Sequence, residues 1–305
     1  MGSDHPVLRL DHLDALWFQV AGTICNLRCN HCFISCSPEN HTLGLMSFEQ
    51  TVPYFEEAVQ LGVKEFYFTG GEPFVNPDLP GILGAALQIG PATVLTNATL
   101  FSPELVRRLA ALRDASIYSL EFRVSIDGFS PEANDPIRGP GTFKRAMRGV
   151  RLLLDAGFLP IITAMRSWPI EQDEARLESF KTCLARAGYQ HPRFKLLPSL
   201  KIGQEALRDH GYSQHDYVTR SMILGYDTSQ LMCSNSRIVS MRGVHVCPIL
   251  VDQPESLLGN RLSDARPVFV LKYQACMTCY QYGALCSNAS SAAAGLEKWD
   301  QHGSD

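Results

Sequence analysis

Cys25, Cys29 and Cys32 stand in the run Cys25-Asn-Leu-Arg-Cys29-Asn-His-Cys32, a C-x3-C-x2-C triplet. Three thiolates on one short loop can hold three corners of a 4Fe–4S cube and leave the fourth iron open to a ligand. The ferredoxin run of C-x2-C-x2-C with a fourth cysteine before proline is absent. A second chemical signature, Gly70-Gly71-Glu72-Pro73, offers two residues without side chains, where a backbone and a ligand can approach closely, followed by a carboxylate. A third group of cysteines, at 233, 247, 276, 279 and 286, lies near the C-terminal end.

Each of the first two motifs ends an apolar run. Leu16-Trp17-Phe18-Gln19-Val20 precedes the triplet and Glu65-Phe66-Tyr67-Phe68-Thr69 runs into Gly70. Both read as buried strands with site loops at their C-terminal ends. The pair of motifs, in this order and each at a strand end, resembles the radical S-adenosylmethionine (radical SAM) superfamily. The resemblance implies that the open iron chelates SAM and that Gly70, Gly71, Glu72 and Pro73 bind its methionine amino group, a carboxylate meeting an ammonium. It further implies SAM contacts for Asn97 at the end of strand three, for Ser125 and Asp127 at the end of strand four, and for Arg138. His31 stands where most relatives carry an aromatic residue, and a flat imidazole can still stack or donate near adenine. The alternatives are a strand-end hydrogen bond for Ser125 and a surface position for Arg138.

The elements that would position these residues repeat. Ala92–Thr96, Leu120–Ile126, Pro160–Ala164 and Arg193–Leu197 follow as further strand-like runs, making six. Between them, Ser47 with Gln50 forms a capping box, and Ser102-Pro103 is an N-cap followed by proline at the first helical position. Leu177, Phe180, Leu184 and Ala187 make one stripe of a helix that closes at Gly188. The fold class is therefore α/β, and the resemblance implies a partial (β/α)6 barrel of the radical SAM type. The expected organisation is an N-terminal extension over 1–15, the barrel over 16–203, a linker helix and small subdomain over 204–289, and a flexible tail over 290–305.

The C-terminal cysteines look like the auxiliary-cluster subdomain called twitch, a short relative of SPASM, which would hold a second 4Fe–4S cluster. Zinc is the alternative, because thiolates at C-x2-C spacing also suit a tetrahedral site. Five cysteines exceed the four that a cube needs. Only three residues separate Gly243 from Cys247, one fewer than in the family pattern, and a one-residue shift in a strand turns a side chain to the other face. The expectation is that Cys233, Cys276, Cys279 and Cys286 are ligands while Cys247 points at the substrate cavity; the competing assignment keeps Cys247 and frees Cys286. Cys183 reads as a small core residue and Cys36 as structural, close to the triplet.

Bulk properties narrow the functions. The chain has 305 residues, a net charge of −4 and no basic footprint for nucleic acid. No apolar run approaches the roughly 20 residues of a membrane helix. Cysteines clustered at metal-like spacing suit a reducing cytoplasm better than a secreted disulfide scaffold. Peptide-modifying relatives carry an N-terminal recognition domain that residues 1–15 cannot supply. The whole therefore looks like an aminoglycoside-modifying radical SAM enzyme, an epimerase in which Cys247 returns hydrogen to a sugar carbon. The alternative is a dehydrogenase acting on an aminocyclitol with the auxiliary cluster as electron acceptor. Asp127, Asp135 and Glu121 are the acidic candidates for a polycationic ligand, and a flavodoxin- or ferredoxin-type reductant is the implied partner. A cluster carrier without catalysis is a third reading, against which Gly70–Pro73 argues.

Overall fold

The structure, a computed structural model, describes residues 4–283 and 285. Cys286 and the tail expected over 290–305 lie outside the described residues. The strands, in chain order, are β1 (Val7–Arg9), β2 (Ala15–Gln19), β3 (Glu65–Thr69), β4 (Ala92–Thr96), β5 (Leu120–Ser125), β6 (Ile161–Met165), β7 (Arg193–Leu197), β8 (Ser236–Ser240), β9 (Gly243–His245), β10 (Leu257–Gly259) and β11 (Val268–Val270). The helices are α1 (Phe48–Leu61), α2 (Leu79–Ala86), α3 (Pro103–Asp114), α4 (Pro131–Arg138), α5 (Thr142–Asp155), α6 (Asp173–Arg186), α7 (Gly203–Arg208), α8 (Arg220–Ile223) and α9 (Ala275–Tyr282).

All six expected strands form, as β2 to β7, and pair in parallel in chain order. β2, β4 and β6 are buried on both faces almost throughout, which is why they read as near-continuous apolar runs, whereas β7 at the sheet edge is largely open. Leu16, Phe18, Phe66, Phe68, Phe122 and Val124 face the core under the helices. The alternate residues Ala15, Trp17 and Tyr67 face inward. Trp17 and Tyr67 stack there with ring centroids 4.2 Å apart.

The expected helix starts are also present. Ser47 Oγ accepts from Gln50 N–H while the Gln50 side chain accepts from Ser47 N–H, closing the capping box of α1. Ser102 Oγ accepts from Leu105 N–H at 3.1 Å at the start of α3. The helix that carries the Leu177–Ala187 stripe is preceded by a 3-10 turn over Ile170–Gln172 and begins as α6 at Asp173. Phe180 and Leu184 carry its buried stripe, and Cys183 sits part-buried at the stripe's edge rather than in the core.

Beyond α7 the chain returns to the sheet. β8 and β9 form a hairpin, with Ser240 opposite Gly243. β8 then pairs in parallel with β2, so the sheet runs β10-β9-β8-β2-β3-β4-β5-β6-β7. β1 and β11 form a separate antiparallel pair. No helix among the described residues is long and apolar enough to cross a membrane.

Candidate functional site: one large cavity and a neighbouring group of four thiols

Residues from every strand between β2 and β7 line one cavity of about 250 Å³, so the sheet curves around it. Cys25, Cys29 and Cys32 form part of its wall. Their loop is pinned on three sides. Cys25 N–H donates to Ser37 O, Asn30 N–H and side chain donate to Ile137 O and Pro136 O at the end of α4, and Gln204 N–H in α7 donates to Cys32 O. Burial pushes the Cys25 thiol up to about 12 and the Cys29 thiol up to about 11. Cys32 is held below the ordinary thiol range, first by a hydrogen bond from the Cys36 thiol. Cys36, read from the sequence as structural and close to the triplet, lines the same cavity.

Gly70 and Gly71 form the adjoining wall. A Cβ on Gly71 would sit 2.2 Å from Ile24 O and 2.8 Å from Cys25 Cβ, so the absence of a side chain lets β3 meet the cysteine loop. Gly70 has φ +149°, and a Cβ there would strike Ala21 at 2.6 Å. Glu72 and Pro73 stand behind this wall and are not among the cavity-lining residues. The Glu72 carboxylate accepts from Thr96 Oγ1 and Asn97 N–H, both at 2.7 Å, and from Phe74 N–H at 3.2 Å. It therefore ties the end of β3 to the end of β4. Burial raises its carboxyl to about 7, against the lowering effect of those donors.

Asn97, Ser125, Asp127, His31 and Arg138 are brought together around the cavity, as the sequence pattern implied. Arg138 is no surface residue: its side chain is 12% exposed, and its Nε lies 2.6 Å from Asp127 Oδ2. His31 Nε2 lies 2.8 Å from the same oxygen, and Met165 N–H donates to Oδ1 at 2.8 Å. Burial would raise the Asp127 carboxyl, but Arg138 and His31 outweigh it and hold it well below the usual carboxylate range. The other acidic candidates are elsewhere. Asp135 caps the start of α5 through Gly141 and Phe143 N–H groups, and Glu121 pairs with Arg193.

Sequence reading missed Trp17, Arg123, Thr163 and Met165, all of which line the cavity. Arg123 was findable as a charge in the middle of a buried apolar strand; it lies over the Tyr67 ring at 5.4 Å. Trp17 Nε1, Thr163 Oγ1 and His31 Nδ1 are buried without hydrogen-bond partners among the described residues. Buried donors left open around a cavity suit a polar ligand inside it. A three-thiol wall, a glycine cradle and these open donors together fit a cluster with SAM.

Cys233, Cys247, Cys276 and Cys279 line a second, small and apolar cavity. Cys276 and Cys279, three apart in α9, share a helix face. Cys247 does not line the larger cavity, contrary to the expectation from its spacing to Gly243. The alternation argument fails because β9 ends at His245, and Cys247 sits beyond it at the start of a 3-10 turn over Pro248–Leu250. Pro248 and Ile249, the residues after it, line the larger cavity in its place, and Ile249 lines both. Burial pushes the Cys233 thiol to about 11, the Cys276 thiol to about 12 and the Cys247 thiol upward as well. Four thiols around an apolar cavity are a donor set that, as thiolates, would fit an iron–sulfur cluster.

Comparison with known proteins agrees with this geometry. An AdoMet-dependent heme synthase of Methanosarcina barkeri is 35% identical over 144 residues, which are 47% of this chain and 39% of that protein. The mycofactocin maturase MftC of Mycobacterium tuberculosis is 31% identical over 177 residues, 57% of this chain and 43% of that protein. The chain thus spans less than half the length of these curated relatives. Streptococcus suis SuiB bound to S-adenosylmethionine superposes with a TM-score of 0.59 at 16% identity, covering 80% of this chain and 62% of that one. The structure of anSMEcpe with bound AdoMet and a peptide gives 0.59 at 17% identity, covering 81% and 76%. These two likenesses concern the fold. The sequence pattern of the radical SAM superfamily matches residues 20–183, and the chain belongs to that superfamily.

Proposed function

We propose that this protein is a radical SAM enzyme that oxidises its substrate, with a second iron–sulfur centre held by Cys233, Cys247, Cys276 and Cys279. When bound, the first cluster with SAM supplies a carbon radical able to take hydrogen from an unactivated carbon, and the second supplies an electron acceptor. Cys25, Cys29 and Cys32 would hold the first cluster. Asp127, Arg138, Asn97 and Ser125 would frame SAM, and the apolar wall with Trp17 and Ile249 would seat the substrate and exclude water. The observation that carries this reading is the position of Cys247 among the other three thiols, with Ile249 alone among the described residues common to both cavities. A thiol committed there is not available to return hydrogen to a substrate radical. The reductant would be of the flavodoxin or ferredoxin type.

The same lining bears on the substrate. Asp127 is the sole carboxylate among the residues described as lining the large cavity, and it is already paired with Arg138 and His31. Arg123 adds a buried cation. The several cations of an aminoglycoside would find no further carboxylate among the described lining residues, whereas a neutral or anionic group would be accommodated. A second reading, epimerisation, is favoured by Cys36, a thiol that does line the large cavity.

Anaerobic reconstitution tests the main reading. A Cys25/Cys29/Cys32→Ala variant is expected to retain about four irons per chain, and adding Cys247→Ala is expected to lose them. Zinc in place of iron, or iron unaffected by Cys247→Ala, would remove the auxiliary centre as assigned. With a turned-over substrate in D2O, oxidation loses two hydrogens, while inversion gains one deuterium and depends on Cys36.

A further inference from the structure

Arg237, in the second position of β8, is 1% exposed, among the most buried large side chains of the chain. Its Nη1 donates to Cys233 O and to Ser236 O, each at 2.8 Å. Its Nε and Nη2 are buried and have no hydrogen-bond partner among the described residues. No carboxylate forms an ion pair with it among the described residues. The groups whose charge acts on it are the thiols of Cys233 and Cys247.

An arginine buried with two open donors and no counter-ion is strongly unfavourable. The arrangement makes sense once the neighbouring sulfurs carry negative charge, because a guanidinium is the cation best suited to a desolvated anionic site. We infer that Arg237 is the built-in counter-cation of the auxiliary centre, donating through Nε and Nη2 to the sulfur-rich anion held by Cys233 and Cys247 and keeping its reduction potential high. The inference rests on the second-centre reading above. Arg237 acts as a positioning residue: it touches the protein's cluster ligands and not the substrate. Positive charge and hydrogen bonds to cluster sulfurs favour the reduced, more negative state.

The test uses the full chain with Cys25/Cys29/Cys32→Ala, so that one cluster is read alone, carrying Arg237→Met or Arg237→Lys. Electron paramagnetic resonance is followed through a redox titration. The Met variant is expected to keep its iron and to shift at least tenfold towards the oxidised form at a fixed potential, about 59 mV for a one-electron couple. The Lys variant keeps the charge but not the fork of donors, and should shift less. The metal-free Met variant should fold, because it removes an unmatched buried charge. An unchanged midpoint in the Met variant, or a Met variant unable to fold without metal, overturns the role of Arg237 and leaves the second centre standing. Absence of iron from the parent triple variant overturns the second centre and the inference together.

Discussion

Asp127→Asn is expected to destabilise the protein by about 3–5 kcal/mol, the cost of leaving a buried charge without its partner. The Asp127 side chain is fully buried, and one of its oxygens serves both Arg138 and His31. The other accepts from Met165 N–H. Through these contacts the carboxylate joins the ends of β5 and β6, the last turn of α4 and the cysteine loop that contains His31. Asparagine keeps the shape but leaves the Arg138 guanidinium buried without its counter-ion. The variant should therefore show a lower urea midpoint and a reduced iron content at the first centre.

The pH dependence has a definite sign. The folded-state carboxyl of Asp127 lies below its unfolded value near 4. Its stabilisation is present above that unfolded value and is lost only as the pH falls through the lower folded value. The gap in stability between parent and variant should be widest near neutrality and should narrow in strong acid. Equal urea midpoints at pH 7, with iron retained, would show that Arg138 finds another partner.

Much of the barrel was legible because parallel strands covered on both faces leave a simple trace, runs such as Glu65–Thr69 and Ala92–Thr96 that match β3 and β4 residue for residue. Helix starts were legible for a local reason, since Ser47 and Ser102 satisfy backbone donors within their own first turns. Long-range pairing was not. Nothing local in Ser236–Ser240 says that it will lie beside β2, and the three-residue strands β1 and β11 have too little pattern to announce each other. In the site, the residue types and order placed the cysteine triplet and the glycines at strand ends. The direction of Cys247 was misjudged because two-residue alternation holds only inside a strand, and β9 stops at His245. Glu72 shows a different limit. Its place in the motif was clear, but whether its oxygens point at a ligand or at Thr96 and Asn97 depends on how β4 packs beside β3.

Gly71→Ala is expected to abolish iron at the first centre while leaving any iron at the proposed second centre in place. The new Cβ would lie 2.2 Å from Ile24 O, 2.5 Å from Ile24 C and 2.8 Å from Cys25 Cβ. The obstacle is backbone, and it is held. Glu72 N–H donates to Ile24 O at 3.1 Å, and Cys25 N–H donates to Ser37 O at 3.2 Å. Relief therefore requires either Cys25 to leave its place or the end of β3 to move into the cavity. Inserting one carbon into such a contact costs about 1–3 kcal/mol or more, and geometry at a metal ligand is lost before the fold is. Iron counted after reconstitution should fall to about the amount retained by the Cys25/Cys29/Cys32→Ala variant, with the two variants giving the same residual spectrum. Gly84→Ala is the control, because its Cβ would meet only Leu112 Cδ2 at 3.5 Å from within α2. Exchanging glycine for alanine in a helix at ordinary contact distance should raise stability by up to about 1 kcal/mol. Full iron in Gly71→Ala would mean that the cysteine loop can back away from β3 without losing its hold on the cluster. The close approach of the two glycines would then serve SAM rather than the ligand loop.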